Sequence, residues 1–249
     1  MGTFVVGATA LIGLLGAAAG LLFTFFPDLQ PKPESKSDVK IESVAVGRIE
    51  ELHGKTEVPD YKTWKKDFSA PLLDVLLSNS GDSTAYVKSG EFTFFAALDM
   101  NQCDRTGGGN IDYVSFPVEV PRDVQPGDRL VKPVFFKVEP GKGESLAFAL
   151  GPAGDIVSEN WLYAFSLNLK VGSASVSVPK SALSDVANWK DQVLEAAAKQ
   201  MALEGAGREE GRRCYASTLK TVWQVLNEAR YVPAGLEEFA IKLEALLAA

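Results

Sequence analysis

LLDVLLSNSGDSTAYVKSGEFTFFAAL, residues 72–98, is the stretch on which the fold turns. An apolar run from Leu72 ends at Asn79, and the turn residues SGDS follow. A second run, rich in β-branched and aromatic side chains, then extends from Ala85 to Leu98 with Gly90 marking a turn or bulge. Short apolar segments of this kind, bounded by Gly, Asp, Asn and Ser, read as consecutive β-strands. The same texture continues on both sides. VKIESVAV alternates from Val39 to Val46, and YVSFPVEV, RLVKPVFFKV, SLAFAL and YAFSLNLKVGSASVSV follow in turn. Their separators, MNQCDRTGGGN, PRDVQPGD, EPGKGE and GPAGD, are turn-rich. No long helical pattern interrupts residues 39–178, which disfavours a parallel α/β fold. Residues 39–179 are therefore expected to form an antiparallel β-sandwich.

LLDVLLSNSGDSTAYV, residues 72–87, resembles immunoglobulin-like sandwich domains, in which an apolar strand ending in Asn-x-Gly is followed by another strand. There is no Cys…Trp…Cys spacing, so the resemblance does not extend to antibody-type domains. It implies a mainly β, immunoglobulin-like sandwich.

The period changes at Pro179. Val186, Trp189, Val193, Leu194, Ala197 and Met201 share one helical face, with Ser184 or Asp185 placed to cap its start. A second helix is expected over about 208–230 and a third from Leu236, so residues 180–249 read as a module of about three helices.

The N-terminus is of another kind. In a chain that is 23% charged, no residue from Phe4 to Phe26 carries a charge. As a helix this run is roughly 34 Å long, against a hydrocarbon core of about 30 Å. Residues 1–26 are therefore expected to be a transmembrane anchor, with Phe4, Leu11, Leu14, Leu15, Leu21, Leu22, Phe23 and Phe26 as its anchor residues. Gly13, Gly16 and Gly20 form a face on which two such helices can associate. Ala17 and Ala19 offer a signal-peptide cleavage site instead, but no Lys or Arg precedes the run. Val6 stands where a myristoylation signal needs Ser or Thr. Residues 27–38, PDLQPKPESKSD, are a Pro-rich charged linker.

Lys32, Lys36 and Lys40 flank the run on its C-terminal side and nothing comparable flanks the other, which places the bulk of the chain on the cytoplasmic side. Two cysteines of unlike surroundings, Cys103 and Cys214, read as unpaired and agree with that side. The alternative is an extracytoplasmic domain carried on a signal anchor. YKTWKKDF interleaves aromatics with lysines, and Tyr61, Lys62, Trp64, Lys65, Lys66 and Phe68 form a candidate membrane-interface patch.

Chemistry is sparse. A net charge of -7 disfavours nucleic acid, and a single histidine, His53, leaves little for histidine-based catalysis or metal ligation. GKGES, residues 141–145, lacks the phosphate-loop spacing and reads as a β-turn. DMNQCDRTGGGN, residues 99–110, lacks the Gly and Glu of a calcium loop and reads as a hairpin loop. Arg212 and Arg213 could activate the Cys214 thiol, although a partly buried helix cysteine is the simpler account. The expectation is a single-pass, non-enzymatic binding or scaffold protein with no cofactor and no metal. Its partners are the bilayer and either a protein or a second copy of itself; an extracytoplasmic ligand- or envelope-binding domain is the alternative, and a hydrolase with an unrecognised site comes third.

Overall fold

Leu73, Val75 and Leu77 point to one side of a strand and are fully buried, while Asp74 and Leu76 point to the other. That alternation recurs along most strands and defines the architecture. A computed structural model describes residues 36–57, 64–104, 111–114, 116–154, 156–157 and 160–249. Among these, ten strands form two sheets and three helices follow: β1 Val39–Glu57, β2 Trp64–Asn79, β3 Ala85–Asp99, β4 Ile111–Val114, β5 Val118–Val120, β6 Arg129–Val138, β7 Gly143–Pro152, β8 Ile156–Val157, β9 Trp161–Val171, β10 Ala174–Leu183, α1 Val186–Met201, α2 Gly205–Glu228 and α3 Leu236–Ala248. One sheet has the order β5-β7-β2-β1-β4-β8 and the other β10-β9-β3-β6. All pairings are antiparallel except β5 with β7.

The space between the sheets is filled by valine, leucine and aromatic side chains. Phe92 lies at its centre, with its ring 5.4 Å from Phe148 and 5.1 Å from Phe165, both edge-on. Each such buried ring contributes about 1.5–3 kcal/mol relative to exposure, with a further ~1 kcal/mol from edge-to-face geometry.

The helices do not form a separate bundle. They cover the outer face of the four-stranded sheet, where Ala96, Leu162, Ala164 and Ala182 meet Trp189, Val222, Phe239 and Leu243 in a second core. A bulge on β3 between Phe94 and Ala96 turns Phe95 and Ala96 to the same, helix-facing side. The sheet residues there are mostly small, which lets the helices approach. β9 is consequently buried on both faces from Leu162 to Phe165. Residues 37–249 make one compact unit.

The elements match the sequence expectations closely over residues 72–98 and 129–138, and less closely elsewhere. β1 and β2 run well past the apolar segments, through residues 51–57 and 64–68, as a long antiparallel arm. The expected change at Pro179 is deferred: β10 continues to Leu183, with Pro179 inside a bulge where its missing N–H costs no ladder hydrogen bond. Beyond α2 the chain returns to the edge of β10, with Arg230 N donating to Lys180 O and Ala182 N donating to Tyr231 O, both at 2.8 Å. Gly235 opens α3 at φ +83°, a conformation that other residues adopt only with strain.

Candidate functional site

The sandwich has two ends. At one, the chain enters β1 beside the β2–β3 and β6–β7 turns. At the other, the start of α1 meets β2, β7 and β9 around a cleft of ≈ 80 Å³. Ser69 and Pro71 come from β2, and Leu150, Gly151 and Pro152 from the end of β7. Asn160, Trp161 and Tyr163 come from the start of β9, and Asp185, Asn188 and Trp189 from the start of α1. Phe116 closes one wall; a Cβ on Gly151 would lie 2.3 Å from its ring, so only glycine admits the ring there.

Asp185 is the N-cap residue of α1, but its side chain makes no capping hydrogen bond. It turns away from the helix: Ser69 Oγ donates to Oδ2 at 2.7 Å, and Arg48 Nη1 lies 3.5 Å from Oδ1. Arg48 Nη2 also donates to Glu50 Oε1 at 2.7 Å, and the two carboxylates, Glu50 first, hold the guanidinium above its ordinary range. Ser184, the other expected cap, donates to Trp161 O at 2.8 Å and accepts from Trp189 Nε1 at 2.9 Å. Trp161 lies parallel to Tyr163, with ring centroids 5.6 Å apart. The aromatic walls are thus fixed by hydrogen bonds and stacking. The helix gives up a cap worth ~1 kcal/mol to orient these groups, a local rule broken at a cavity.

Asn160 ties the cleft to the loop after β3, accepting from Met100 N at 2.7 Å and donating from Nδ2 to Asn101 Oδ1 at 3.3 Å. That loop carries Cys103. Contrary to the reading of two unpaired cysteines, Cys103 and Cys214 form a disulfide, with Cα atoms 5.7 Å apart across 111 residues of sequence. Their separation along the chain concealed a proximity that exists only because α2 lies on the four-stranded sheet. Cys214 is therefore no reactive thiol. Thr218 Oγ1 accepts from Gln102 Nε2 at 3.2 Å beside the bridge, and a cleft of ≈ 160 Å³ opens between Gln102, Gln200, Glu210 and the two cysteines.

A third feature is an exposed apolar stripe. β6 is an edge strand, and its outward residues include Val131, Pro133 and Phe135, the last with its side chain wholly in solvent. Tyr86 stands opposite Lys137 in the register and is also more than half exposed. Pro133, Arg129 and Lys137 on the same strand discourage edge-to-edge pairing.

The anchor residues Phe4, Leu11, Leu14, Leu15, Leu21, Leu22, Phe23 and Phe26, and the association face Gly13, Gly16 and Gly20, lie outside the described residues, as do Tyr61 and Lys62. Trp64, Lys65, Lys66 and Phe68 belong to β2, paired with the arm of β1, as does His53 on β1 with Asp67. Gly141 and Lys142 of GKGES lie in the β6–β7 turn, with Lys142 N donating to Glu139 O, and Gly143–Ser145 already belong to β7. The loop from Asp99 is not a hairpin: β3 lies in one sheet and β4 in the other, so it crosses between them. Among the described residues no cluster of acidic, His or Cys side chains could hold a metal, and no helix is long and apolar enough to cross a membrane. The cleft residues escaped the sequence analysis because Ser69, Phe116, Trp161 and Asp185 come from four separate segments with no local motif.

No protein-family model matches the chain, and no curated protein proves similar to it in sequence.

Proposed function

We propose that this chain is a membrane-tethered, non-enzymatic binding protein whose folded unit works in an oxidising compartment and holds a protein partner at the membrane surface. The observation that carries this is the Cys103–Cys214 disulfide, which joins the helical layer to the loop after β3. Thiol-reducing cytosol works against such a bond, and secreted or periplasmic space permits it. The uncharged run 4–26 and the proline linker supply the tether, and tethering raises the partner's effective concentration without demanding strong contacts. The stripe of Tyr86, Val131, Pro133 and Phe135 is the surface offered to that partner, another protein or a second copy of the chain. An immunoglobulin-like reading of the sandwich is supported by its strand order. β7-β2-β1 facing β10-β9-β3-β6 corresponds to E-B-A facing G-F-C-C′, with β5, β4 and β8 as additions.

The second reading keeps the folded unit in the cytoplasm, and the lysines at 32, 36 and 40 favour it. Protease added to cells expressing the full-length chain, with any outer membrane and wall first removed so that the cytoplasmic membrane is the sole barrier, separates the two. Digestion of the folded unit without permeabilisation is the expected result; digestion only after permeabilisation would place it inside.

A further inference from the structure

The cleft at the start of α1 has chemistry that tethering does not use. Its polar side holds Asp185, Ser69, Asn160 and Asn188, and its apolar side is formed by Trp161, Phe116 and the end of β7. Charge decides what it can take. Asp185 is the one charged side chain that lines it, and both of its oxygens are already engaged, Oδ2 by Ser69 Oγ at 2.7 Å and Oδ1 by Arg48 Nη1 at 3.5 Å from outside the lining. A cationic ligand would have to compete with that guanidinium for Asp185. An anionic ligand would meet the Asp185 carboxylate with no cation among the lining residues. A purely apolar ligand would strip water from the amides of Asn160 and Asn188 and from the Ser69–Asp185 pair without replacing its hydrogen bonds, which is costly. What remains is a neutral molecule whose edge carries groups that both donate and accept and whose face is C–H.

We propose that this cleft binds a saccharide, one ring or a chain end at a time. The C–H face of the ring packs on Trp161 and Phe116, and its hydroxyls meet Asn188, Asn160 and Asp185. Asn188 is exposed, and its side chain makes no hydrogen bond to the described residues, so it is available to a ligand. The cleft of ≈ 80 Å³ holds about five to eight waters, well short of the roughly 300 Å³ of a small enclosed ligand pocket, so it takes one edge of a ring and leaves the rest in solvent. The cleft stands at the end of the sandwich away from the entry of β1, and its argument uses residues of the folded unit alone, so this proposal does not rest on the membrane reading.

The test uses the full-length protein in a sugar-free detergent such as lauryldimethylamine oxide. Saturation-transfer NMR is recorded with D-glucose, D-galactose, D-mannose and N-acetyl-D-glucosamine, and with tetramethylammonium, acetate and cyclohexanol for comparison. At least one sugar is expected to give saturable transfer with a Kd in the millimolar range. Asn188→Ala should weaken it about five- to tenfold, the worth of one hydrogen bond, without changing the thermal midpoint. Trp161→Ala should abolish it. The proposal is overturned if none of the four sugars saturates. It is equally overturned if both substitutions leave binding unchanged, or if tetramethylammonium, acetate or cyclohexanol displaces the sugar at lower concentration.

Discussion

Asn79 closes the stretch that first revealed the strands, and nearly every polar atom it carries is used. Its Nδ2 donates to Ser83 O at 2.8 Å and Val138 O at 2.9 Å, while Oδ1 accepts from Asp38 N and Gly81 N, both at 3.1 Å. One buried amide therefore joins the entry of β1, the β2–β3 turn and the end of β6. Replacing Asn79 by Ala leaves four backbone groups without it, and a loss of about 3 kcal/mol is expected in urea unfolding. Asn79→Asp should cost nearly as much, because an oxygen would then face two carbonyls. Tyr215 is the opposite case. It is buried, burial pushes its hydroxyl up to about 12, and that hydroxyl has no hydrogen-bond partner among the described residues. Tyr215→Phe should therefore raise stability, by about 1 kcal/mol, read as a higher thermal midpoint. Asn-x-Gly was legible as a turn from the residues alone. That the same Asn reaches Val138, 59 residues on, was not, because nothing local encodes the partner.

At the scale of elements, alternation made β3 and β6 readable nearly to the residue, since one face of each is wet or half-wet. It failed for the β1–β2 arm, where ELHGKTE and WKKDF are too polar to read as strand and backbone pairing alone decides. The periodic faces of α1 and α2 were legible too, but not the surface they cover: Ala96, Ala164 and Ala182 say nothing alone. Glu238 on α3 bridges two lysines, with Lys190 Nζ of α1 at 2.8 Å and Lys242 Nζ at 2.6 Å. Lys190 first and Lys242 second lower its carboxyl from 4.5 to about 2. The stability from this bridge is present above pH 4.5 and is lost as pH falls towards about 2. The Glu238→Gln difference in thermal midpoint should accordingly vanish over that window and shrink in high salt. Asp99, at the end of β3, has the reverse sign. Burial raises its carboxyl above 3.8 against the opposing Asn101 N–H and Arg122. Its contribution declines as pH rises through the carboxylate range, so Asp99→Asn should raise the thermal midpoint at pH 7 and leave it unchanged below the ordinary Asp value.

For the whole molecule, three layers are held by two cores and one covalent bond. The disulfide closes a loop spanning 111 residues of sequence, for which chain entropy gives a stabilisation of about 4–5 kcal/mol. Cys103→Ser, Cys214→Ser and the double variant should lose this stability by equal amounts, since the first substitution already removes the bond. If Phe135 on the β6 edge is where a partner docks, Phe135→Asp should abolish photo-crosslinking from position 131 in native membranes without lowering the thermal midpoint. A broad outline of sandwich plus helices could be read from residue patterns. The docking of the helices, the disulfide and the cleft could not, because each depends on segments far apart in the chain meeting in space. The most direct measurement is the redox state of the two cysteines in the cell, obtained by acid quenching of intact cells, alkylation and mass spectrometry of the full-length chain. A Cys103–Cys214 linked peptide pair as the dominant species is the predicted result. Both cysteines recovered separately alkylated, from a chain that is still folded, would contradict an oxidising location and the binding role built upon it.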